Sequence, residues 1–536
     1  MTDELQQAVE KQISTMTMEH VVGQLIVTGF HGFVVPQQLR TLIEQRCIAG
    51  VILFKRNLFD RDQTAELCRE LQEIAQQAGY ETPLLVMIDQ EGGAVTRYDF
   101  DLALPSAMAL GAADSPSYAY LTGLLCGRQL HSMGINVNIA PVLDLLTEPK
   151  NACIGTRSFG DDPARVSKLA VRYVEGLQSG GVTAVAKHFP GLGSAASDTH
   201  LGAASIDRTL EAMKESDLIP FRRAFEQGVP MVMTNHSHYP RLSLGDPMPA
   251  SLSPGIVTNL LRGEMHFQGA AITDDLEMGA ISKRFGPEGA ALKALQAGND
   301  LLLFCHSLDE IRKVHDAILD AMKRDGKLAE RVMEAVTRVL WLKSDMQQRA
   351  SAPSGVEQTD EEMDELLAFE IAQNATCIVR DETESIPIDE GARVLVVHPD
   401  LAGRLNVPPP ANYVSVFDAM LDYFDDVSEV RYSLKGPEEG EIAEAIEKCR
   451  VADVVVLCTL NATAHPGQTE LAEKLLETDA SPVLVAMDSP FDVSALGGYR
   501  TALATFGFRE PSARALASIL SGDSEACGAM PVKTVS

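Results

Sequence analysis

The sequence lacks most of the residue spacings that bind metals, nucleotides or prosthetic groups. Its nine cysteines include no C-x-x-C or C-x-x-H pair, which disfavours a zinc site and a disulfide framework. A P-loop, a dinucleotide-binding G-x-G-x-x-G with a suitable acidic residue, an H-E-x-x-H helix and a G-x-S-x-G elbow are also missing. We therefore predict no cofactor and no metal, and we expect the cysteines to be mostly buried free thiols.

Long hydrophobic runs and a secretory leader are lacking as well. The longest apolar runs, such as ADVVVLC at 452–458, have the length of a strand and are too short to cross a bilayer. The first residues, MTDELQQAVEKQIS, are polar and acidic. They lack the basic segment followed by an apolar segment that would predict a secretory signal. Together with the free thiols, these observations predict a cytoplasmic protein that does not bind membranes.

Basic residues are scarce relative to acidic ones. The chain has 45 Lys and Arg residues against 75 Asp and Glu residues, a formal net charge of −30. Nucleic acids and anionic membrane surfaces attract basic patches, so this balance argues against both as partners. The composition is otherwise that of a soluble globular protein, and it leaves the oligomeric state open.

The length of 536 residues predicts two or three domains. The first part of the chain contains eight short apolar runs, at 23–30, 49–54, 83–89, 135–145, 182–189, 229–236, 269–275 and 299–305. They are continuous rather than alternating, as expected of parallel strands covered on both faces, and helical patterns lie between most of them. This alternation predicts a (β/α)₈ barrel, although an open, doubly wound sheet has the same pattern.

A change of composition after residue 346 marks the start of another region. Residues 347–365 are polar and acidic and contain Pro, Gly and Ser, as a linker does. Beyond them, strand and helix patterns alternate again, with apolar runs at 375–381, 392–399, 452–460, 481–490 and 500–508. We therefore predict an α/β protein with a TIM-type barrel at 1–345, a linker at 346–370 and a smaller α/β sandwich domain at 371–536.

Polar residues follow the predicted barrel strands at the end where such a barrel carries its active site. They are Asp89, Asp144, Lys187, His188, Asn235, His236, Asp274, Asp275 and His306, with Arg157, Asp198 and His200 in the following loops. Any one of them could serve as a turn former, a helix cap or a structural histidine. The convergence of several at one barrel mouth indicates a functional site.

The chemistry available at that mouth is that of carboxylates and imidazoles. Asp274 could attack an electrophilic carbon, and His200 could transfer the proton, oriented by Asp198. Glycoside cleavage needs such a pairing of a nucleophile with an acid that protonates the leaving oxygen. A histidine beside an aspartate could replace the usual carboxylic acid, because the carboxylate favours imidazolium and fixes the tautomer.

Five segments, in order, resemble the signatures of one enzyme family. They are MIDQEGGAVTRY at 87–98, IGTRSFGDDP at 154–163, KHFPGLGSAASDTH at 187–200, FQGAAITDDLEMGAI at 267–281 and VAMDSPFDVSAL at 485–496. The third closely resembles a motif of family 3 glycoside hydrolases of the β-N-acetylglucosaminidase type. The last resembles part of that family's second α/β domain, so the resemblance covers nearly the whole chain.

The resemblance implies roles for individual residues. Asp274 matches the nucleophile that forms a covalent glycosyl-enzyme, His200 matches the acid/base and Asp198 matches its partner. Residues that match those binding the hydroxyls and N-acetyl region of the sugar, or lining its pocket, are Asp89, Arg97, Arg157, Lys187, His188 and Met278. The implied enzyme is a retaining exo-β-N-acetylglucosaminidase without a cofactor, and bacterial members of this type often act on cell-wall fragments during muropeptide recycling.

One residue departs from the family pattern. Leu192 stands where the family usually has His, so any polar contact of that side chain is lost, which puts substrate preference or loop dynamics in doubt. Three alternative functions stay open. They are a β-N-acetylglucosaminide phosphorylase of the same family, a Schiff-base lyase that uses Lys187, and a sugar-binding protein without catalysis.

Overall fold

Two β-sheets organise the protein. One lies in the part of the chain up to residue 351, which we call the first half, and the other lies in the part from residue 361 on, which we call the second half. The computed structural model describes residues 3–195, 204–242, 248–351, 361–401, 414–434 and 436–534. Within these ranges, the first half holds an eight-stranded parallel sheet and the second half holds a six-stranded mixed sheet. The predicted α/β class, with a barrel followed by a smaller α/β domain, is confirmed.

The first sheet closes into a barrel. Its strands are β1 Ile26–Gly29, β2 Gly50–Leu53, β3 Leu85–Ile88, β4 Val137–Asn138, β5 Thr183–Phe189, β6 Met231–Thr234, β7 Ala270–Thr273 and β8 Leu302–Phe304. Their hydrogen-bonded order is β7-β6-β5-β4-β3-β2-β1-β8, and a parallel bridge between Ile272 and Leu301 brings the two ends together. The open doubly wound sheet is therefore wrong, because β1 pairs with both β2 and β8.

Helices surround the barrel and cover one of its openings. They are α1 Asp3–Thr15, α2 Met18–Gly23, α3 Gln37–Arg46, α4 Arg61–Gln77, α5 Ala107–Ala113, α6 Pro116–Ser132, α7 Pro163–Ser179, α8 Leu210–Lys214, α9 Leu218–Glu226, α10 Gly279–Ala297, α11 Leu308–Arg324 and α12 Gly326–Ser351, with a π-helix at Gly255–Glu264. Side chains that accept hydrogen bonds from the first turn determine where several of these helices begin. Asp60 accepts from the Gln63 N–H before α4, and Asp162 accepts from the Arg165 N–H before α7.

The barrel strands are apolar on both faces. One set of side chains, which includes Val27, Met87 and Val185, fills the interior, while their chain neighbours pack against the helices. Leu342 of α12 belongs to the same interior cluster. Arg349, near the end of that helix, lies 3.4 Å from the hydroxyl of Thr183 at the start of β5. Helix α12 therefore covers the amino-terminal opening of the barrel, and the carboxyl ends of the strands form its mouth.

The second sheet has six strands. They are β9 Cys377–Asp381, β10 Val394–Asp400, β11 Val427–Ser433, β12 Val454–Thr459, β13 Ser481–Ala486 and β14 Thr501–Ala504, in the order β11-β10-β12-β13-β14-β9, with β9 antiparallel. The helices of this half are α13 Glu361–Ala375, α14 Val416–Met420, α15 Glu439–Cys449, α16 Pro466–Leu476, α17 Asp492–Ala495 and α18 Glu510–Ser521. Strand β11 was not predicted. It is an edge strand of mixed polarity, VSEVRYS, and lacks the continuous apolar run of its neighbours.

The two halves of the chain contact each other around the barrel mouth. The loops after β13 and β14 meet the loops after β3 and β4. The Ser106 hydroxyl donates to the Phe506 carbonyl at 2.6 Å, and Arg509 forms an ion pair with Asp99. The predicted linker at 346–370 takes in the end of α12, residues outside the described ranges and the start of α13.

The last described residues return to the barrel. In this return segment, residues 528–533, the Ala529 N–H donates to the Ala112 carbonyl at 3.0 Å. The Asp161 N–H donates to the Pro531 carbonyl, and the Asp161 carboxylate accepts from the Lys533 N–H at 2.8 Å. The return segment thus attaches the second half of the chain to the barrel through additional hydrogen bonds.

All nine cysteines lie in the described ranges, and none of them forms a disulfide. Six are buried, at 68, 126, 305, 377, 449 and 458. The expectation of mostly buried thiols is confirmed. Across the part of the chain that the structure describes, no helix is both long enough and apolar enough to cross a membrane.

Candidate active site

A cluster of five ionised side chains lies at the barrel mouth, and we call it the ionic cluster. Lys187, only 1% exposed at the end of β5, donates to Asp89 at 2.9 Å and forms an ion pair with Glu91 at 2.5 Å. Arg97 binds the other oxygen of Asp89 at 3.0 Å. Arg157 binds both oxygens of Glu91, at 2.7 and 2.9 Å. The structure therefore brings four predicted sugar-binding residues into one network through Glu91.

Glu91 was not predicted as a site residue. It lies two positions after Asp89, within the QEGG segment, and its side chain is 6% exposed. Glu91 comes three residues after the end of β3, so polarity at the strand end itself does not single it out. The balance of charge could have indicated it. Lys187 and Arg157 are two cations with little exposure to water, and such cations need more than one carboxylate nearby.

His188 extends the ionic cluster toward β4. Its Nδ1 lies 2.7 Å from a carboxylate oxygen of Asp144, and its Nε2 lies 3.3 Å from the Arg157 guanidinium. A carboxylate accepts and a guanidinium donates, so this arrangement assigns the proton to Nδ1 and leaves Nε2 as an acceptor. Asp144, which is fully buried, thereby fixes the orientation of the His188 ring.

Leu192 contributes to this arrangement through its backbone. Its N–H donates to the second oxygen of Asp144 at 2.6 Å, and its carbonyl accepts from the Asn151 side chain at 2.9 Å. The leucine side chain is 3% exposed and packs within the main hydrophobic core. The main chain at this position therefore supports His188 through Asp144, whichever side chain it carries.

Opposing effects set the protonation of the two carboxylates in the ionic cluster. Burial by itself would raise the pKa of the Glu91 carboxyl, but the charges of Arg157 and Lys187 outweigh it and lower that pKa to about 2. Burial would likewise raise the pKa of Asp89, and Lys187 and Arg97 hold it well below its ordinary value. Both carboxyls are therefore ionised at neutral pH, which gives the cluster fixed donors and acceptors for sugar hydroxyls.

The low pKa of Glu91 predicts sensitivity to acid. A carboxyl whose pKa is depressed by folding stabilises the folded state above its unfolded pKa and loses that contribution as pH falls through the folded pKa. We therefore expect the free energy of unfolding to fall between about pH 4.5 and pH 2, the ordinary and the folded values for Glu91. Urea titrations across this range measure it, and a Glu91→Gln variant with the same pH slope as the wild type would contradict it.

Asp274 lies across the mouth, directly after β7. Its N–H donates to the Thr234 carbonyl at 2.9 Å, and its Oδ1 accepts from the Asp275 N–H at 2.8 Å. Its side chain is half-buried. Among the described residues, no lysine or arginine forms an ion pair with it. The backbone thus positions this carboxylate, and its second oxygen accepts no hydrogen bond from the described residues.

Asp275 has a different environment from its neighbour. Its Oδ1 accepts from the N–H groups of Glu277 and Cys305, at 3.0 and 3.2 Å. Burial, with the nearby Glu277 and Asp274 charges, raises the pKa of Asp275 to about 7. The carbonyl of Asp275 lies 2.9 Å from Nε2 of the buried His236. Asp275 and His236 therefore support the loop that presents Asp274.

An aromatic ring that was not predicted borders the ionic cluster. Phe54, just after β2, lies under the guanidinium of Arg97 at 5.4 Å and stacks on His306 with ring centroids 6.2 Å apart. His306 itself is half-exposed and lies 3.6 Å from an oxygen of Asp275. Strand-end polarity could not reveal Phe54, because its role depends on the cation above it.

The other predicted residues are placed as follows. Met278 is half-buried at the start of α10, where its N–H donates to the Asp275 carbonyl at 3.0 Å. Asp198 and His200 lie outside the described residues. Within the described ranges, no group of three or more His, Cys, Asp or Glu side chains could hold a metal ion.

Comparisons with known proteins give a consistent picture. The family model described as the glycosyl hydrolase family 3 N-terminal domain matches residues 17–342. A solved family 3 β-N-acetylglucosaminidase from Paenibacillus sp. superposes with a TM-score of 0.90 at 34% identity, over 97% of this chain and 100% of that one.

Two curated relatives extend the comparison. A β-hexosaminidase A from Pseudoalteromonas piscicida is 28% identical over 93% of this chain and 91% of its own length. A β-hexosaminidase from Xanthomonas oryzae pv. oryzae is 36% identical over 53% of this chain and 84% of its own length. The first similarity spans both halves of the chain, and the second covers about half of it.

Proposed function

Because the chain belongs to glycosyl hydrolase family 3 and is a glycoside hydrolase, we propose that it is a retaining exo-β-N-acetylglucosaminidase. In this proposal it removes terminal, non-reducing N-acetylglucosamine. The observation that carries it is the half-buried Asp274 carboxylate at the same barrel mouth as the ionic cluster. Retaining glycosidases need a carboxylate nucleophile beside a site that grips the sugar.

The ionic cluster is suited to hold the sugar that is cleaved. Its carboxylates, at Asp89 and Glu91, can accept from sugar hydroxyls, while Arg97, Arg157 and Lys187 can donate to hydroxyls or to an amide carbonyl. Each of these groups is already held by a partner of opposite charge. The sugar therefore meets a preorganised site, so that binding needs little rearrangement of side chains.

The proposed reaction has two displacements. Asp274 attacks the anomeric carbon and forms a glycosyl ester, while the acid protonates the leaving oxygen; water then hydrolyses the ester, and the β-configuration is kept. We assign the proton transfer to His200, with Asp198 as its partner. The assignment is supported by the sequence motif at 187–200, and both residues lie outside the described ranges.

The structure disfavours a Schiff-base reaction at Lys187. Its Nζ donates to Asp89 at 2.9 Å and forms an ion pair with Glu91 at 2.5 Å. Such contacts stabilise the charged ammonium, whereas a Schiff base requires a neutral amine that can attack a carbonyl. Lys187 is therefore better suited to binding the sugar than to nucleophilic attack.

The natural substrate and compartment complete the proposal. We infer that the substrates are peptidoglycan-derived fragments that end in N-acetylglucosamine, on the basis of the family resemblance. A cytoplasmic location is supported by nine cysteines without a disulfide, which is typical of a reducing compartment.

A comparison of two aryl glycosides tests the function. We expect aryl β-N-acetylglucosaminide to be cleaved with a kcat/KM at least about 100-fold higher than that of aryl β-glucoside. A site that hydrogen-bonds the N-acetyl group is left with unpaired polar groups when a substrate lacks it. The β-anomer of free N-acetylglucosamine should appear first by NMR. The same assay with inorganic phosphate is the control: formation of a sugar 1-phosphate would identify a phosphorylase instead, and an α-anomer would exclude retention.

A further inference from the structure

The second half of the chain presents a carboxylate to the barrel mouth. Asp488 follows β13 and is 6% exposed. One of its oxygens accepts from the Thr156 hydroxyl of the barrel at 2.7 Å, and the other accepts from the Asn461 side chain at 2.8 Å. A carboxylate this buried needs donors, and here they come from both halves of the chain.

Thr156 belongs to the segment that carries Arg157. The two residues lie in one short 3₁₀ turn, Gly155–Arg157, in the loop after β4. Thr156 is itself buried, with 5% exposure. Arg157, in turn, binds Glu91 with two hydrogen bonds and lies against His188. A displacement of Thr156 would therefore move the guanidinium that organises one side of the ionic cluster.

The loop that presents Asn461 is held in place as well. Asn461 has a left-handed backbone, with φ of 58°, in the loop after β12. The buried Asp492 accepts from the Thr459 hydroxyl and from the Ala462 N–H, both at 2.9 Å. These bonds secure the residues on each side of Asn461. Asp488 thus receives one donor from a loop that the second sheet keeps rigid.

We propose that Asp488 is a positioning residue for the glycosidase reaction, acting through Thr156 on Arg157. This proposal rests on the proposed function, since it holds that the second sheet fixes the position of Arg157 at one side of the sugar site. The contact is a single hydroxyl–carboxylate bond between two buried groups, so its loss is not repaired by water. In this proposal Asp488 acts through Thr156 rather than by binding the sugar itself.

The test compares the two substitutions Thr156→Val and Thr156→Ser. Valine keeps the shape and loses the hydroxyl, and we expect kcat/KM for aryl β-N-acetylglucosaminide to fall roughly 10- to 100-fold, as small displacements of binding groups do. Serine keeps the hydroxyl and should restore most of the activity. Asp488→Ala should cause a loss similar to that of Thr156→Val, and the double variant should be no worse than the more impaired single variant.

The matched control is Tyr118→Phe. Tyr118 donates to Glu370 at 2.7 Å, also between the barrel and the following part of the chain, but away from Arg157. We expect wild-type kinetics for it. Equal losses in Tyr118→Phe and Thr156→Val, wild-type kinetics in Thr156→Val, or a failure of Thr156→Ser to restore activity would each overturn the proposal.

The assay also separates the two proposals. All variants are measured on a panel of aryl glycosides. If the wild type cleaves another sugar in place of β-N-acetylglucosaminide, the proposed function fails, and the Thr156 and Asp488 variants are then compared on the sugar that is cleaved. Loss confined to the valine and alanine variants would support positioning even in that case.

Discussion

Replacing Asp274 with asparagine is expected to lower kcat for aryl β-N-acetylglucosaminide by at least about 10³-fold, the scale seen when a covalent nucleophile is removed. An amide cannot form the glycosyl ester on which the proposed mechanism depends. The fold should persist, because asparagine has the same shape and its oxygen can still accept from the Asp275 N–H. A half-buried position also makes a small change in stability the expected result.

Thermal unfolding and steady-state kinetics measure both expectations. The matched control is Asp207→Asn, the same substitution in an exposed ion pair with Arg241, which should leave kcat unchanged. A sharper version uses Asp274→Gly with azide: the ion should attack from the vacated face and yield the α-glycosyl azide. Retained turnover in Asp274→Asn, or a β-azide product, would rule Asp274 out as the nucleophile.

Replacing Glu91 with glutamine is expected to destabilise the protein by about 3–5 kcal/mol, the usual result of breaking a buried ion pair from one side. Glu91 neutralises both Arg157 and Lys187, and its side chain is 6% exposed. Without its charge, Arg157 and Lys187 share Asp89, the remaining carboxylate of the ionic cluster, with Arg97. Such a loss is a large part of the total stability of an ordinary domain.

Urea unfolding at neutral pH measures this effect. The control is Glu66→Gln, which removes one partner of Arg69 on the surface of α4, where the side chains are more than half exposed. Water solvates both partners there, so little change in the free energy of unfolding is expected. A Glu91→Gln variant as stable as this control would mean that water or other groups compensate the two cations.

The barrel could be predicted from sequence because its strands are buried on both faces. Each of the eight apolar runs contains a strand, since continuous hydrophobicity is what a parallel sheet inside helices requires. Strand β11, at 427–433, was not predicted because it lies at the edge of its sheet and mixes polar with apolar residues, so it has no continuous apolar run.

The site could be predicted only in part. That Asp89 and Lys187 lie at one mouth follows from their positions at strand ends, but the sequence does not reveal which charges pair. Phe54 directly follows β2 and Glu91 comes three residues after β3, and their roles depend on side chains that are distant in sequence. At Leu192 the side chain is what departs from the family pattern, whereas the backbone N–H is what donates to Asp144.

The return segment limits how the two halves of the protein can move. Rigid-body opening of a domain requires a hinge, with the rest of the domain free to swing about it. Here residues 528–533 are bonded to the barrel at Ala112 and Asp161, while Ser106 and Asp99 hold the loops near β14. With several separate anchor points, no single axis allows a rotation that leaves all of them intact. These contacts therefore disfavour a rigid-body opening between the two halves of the chain.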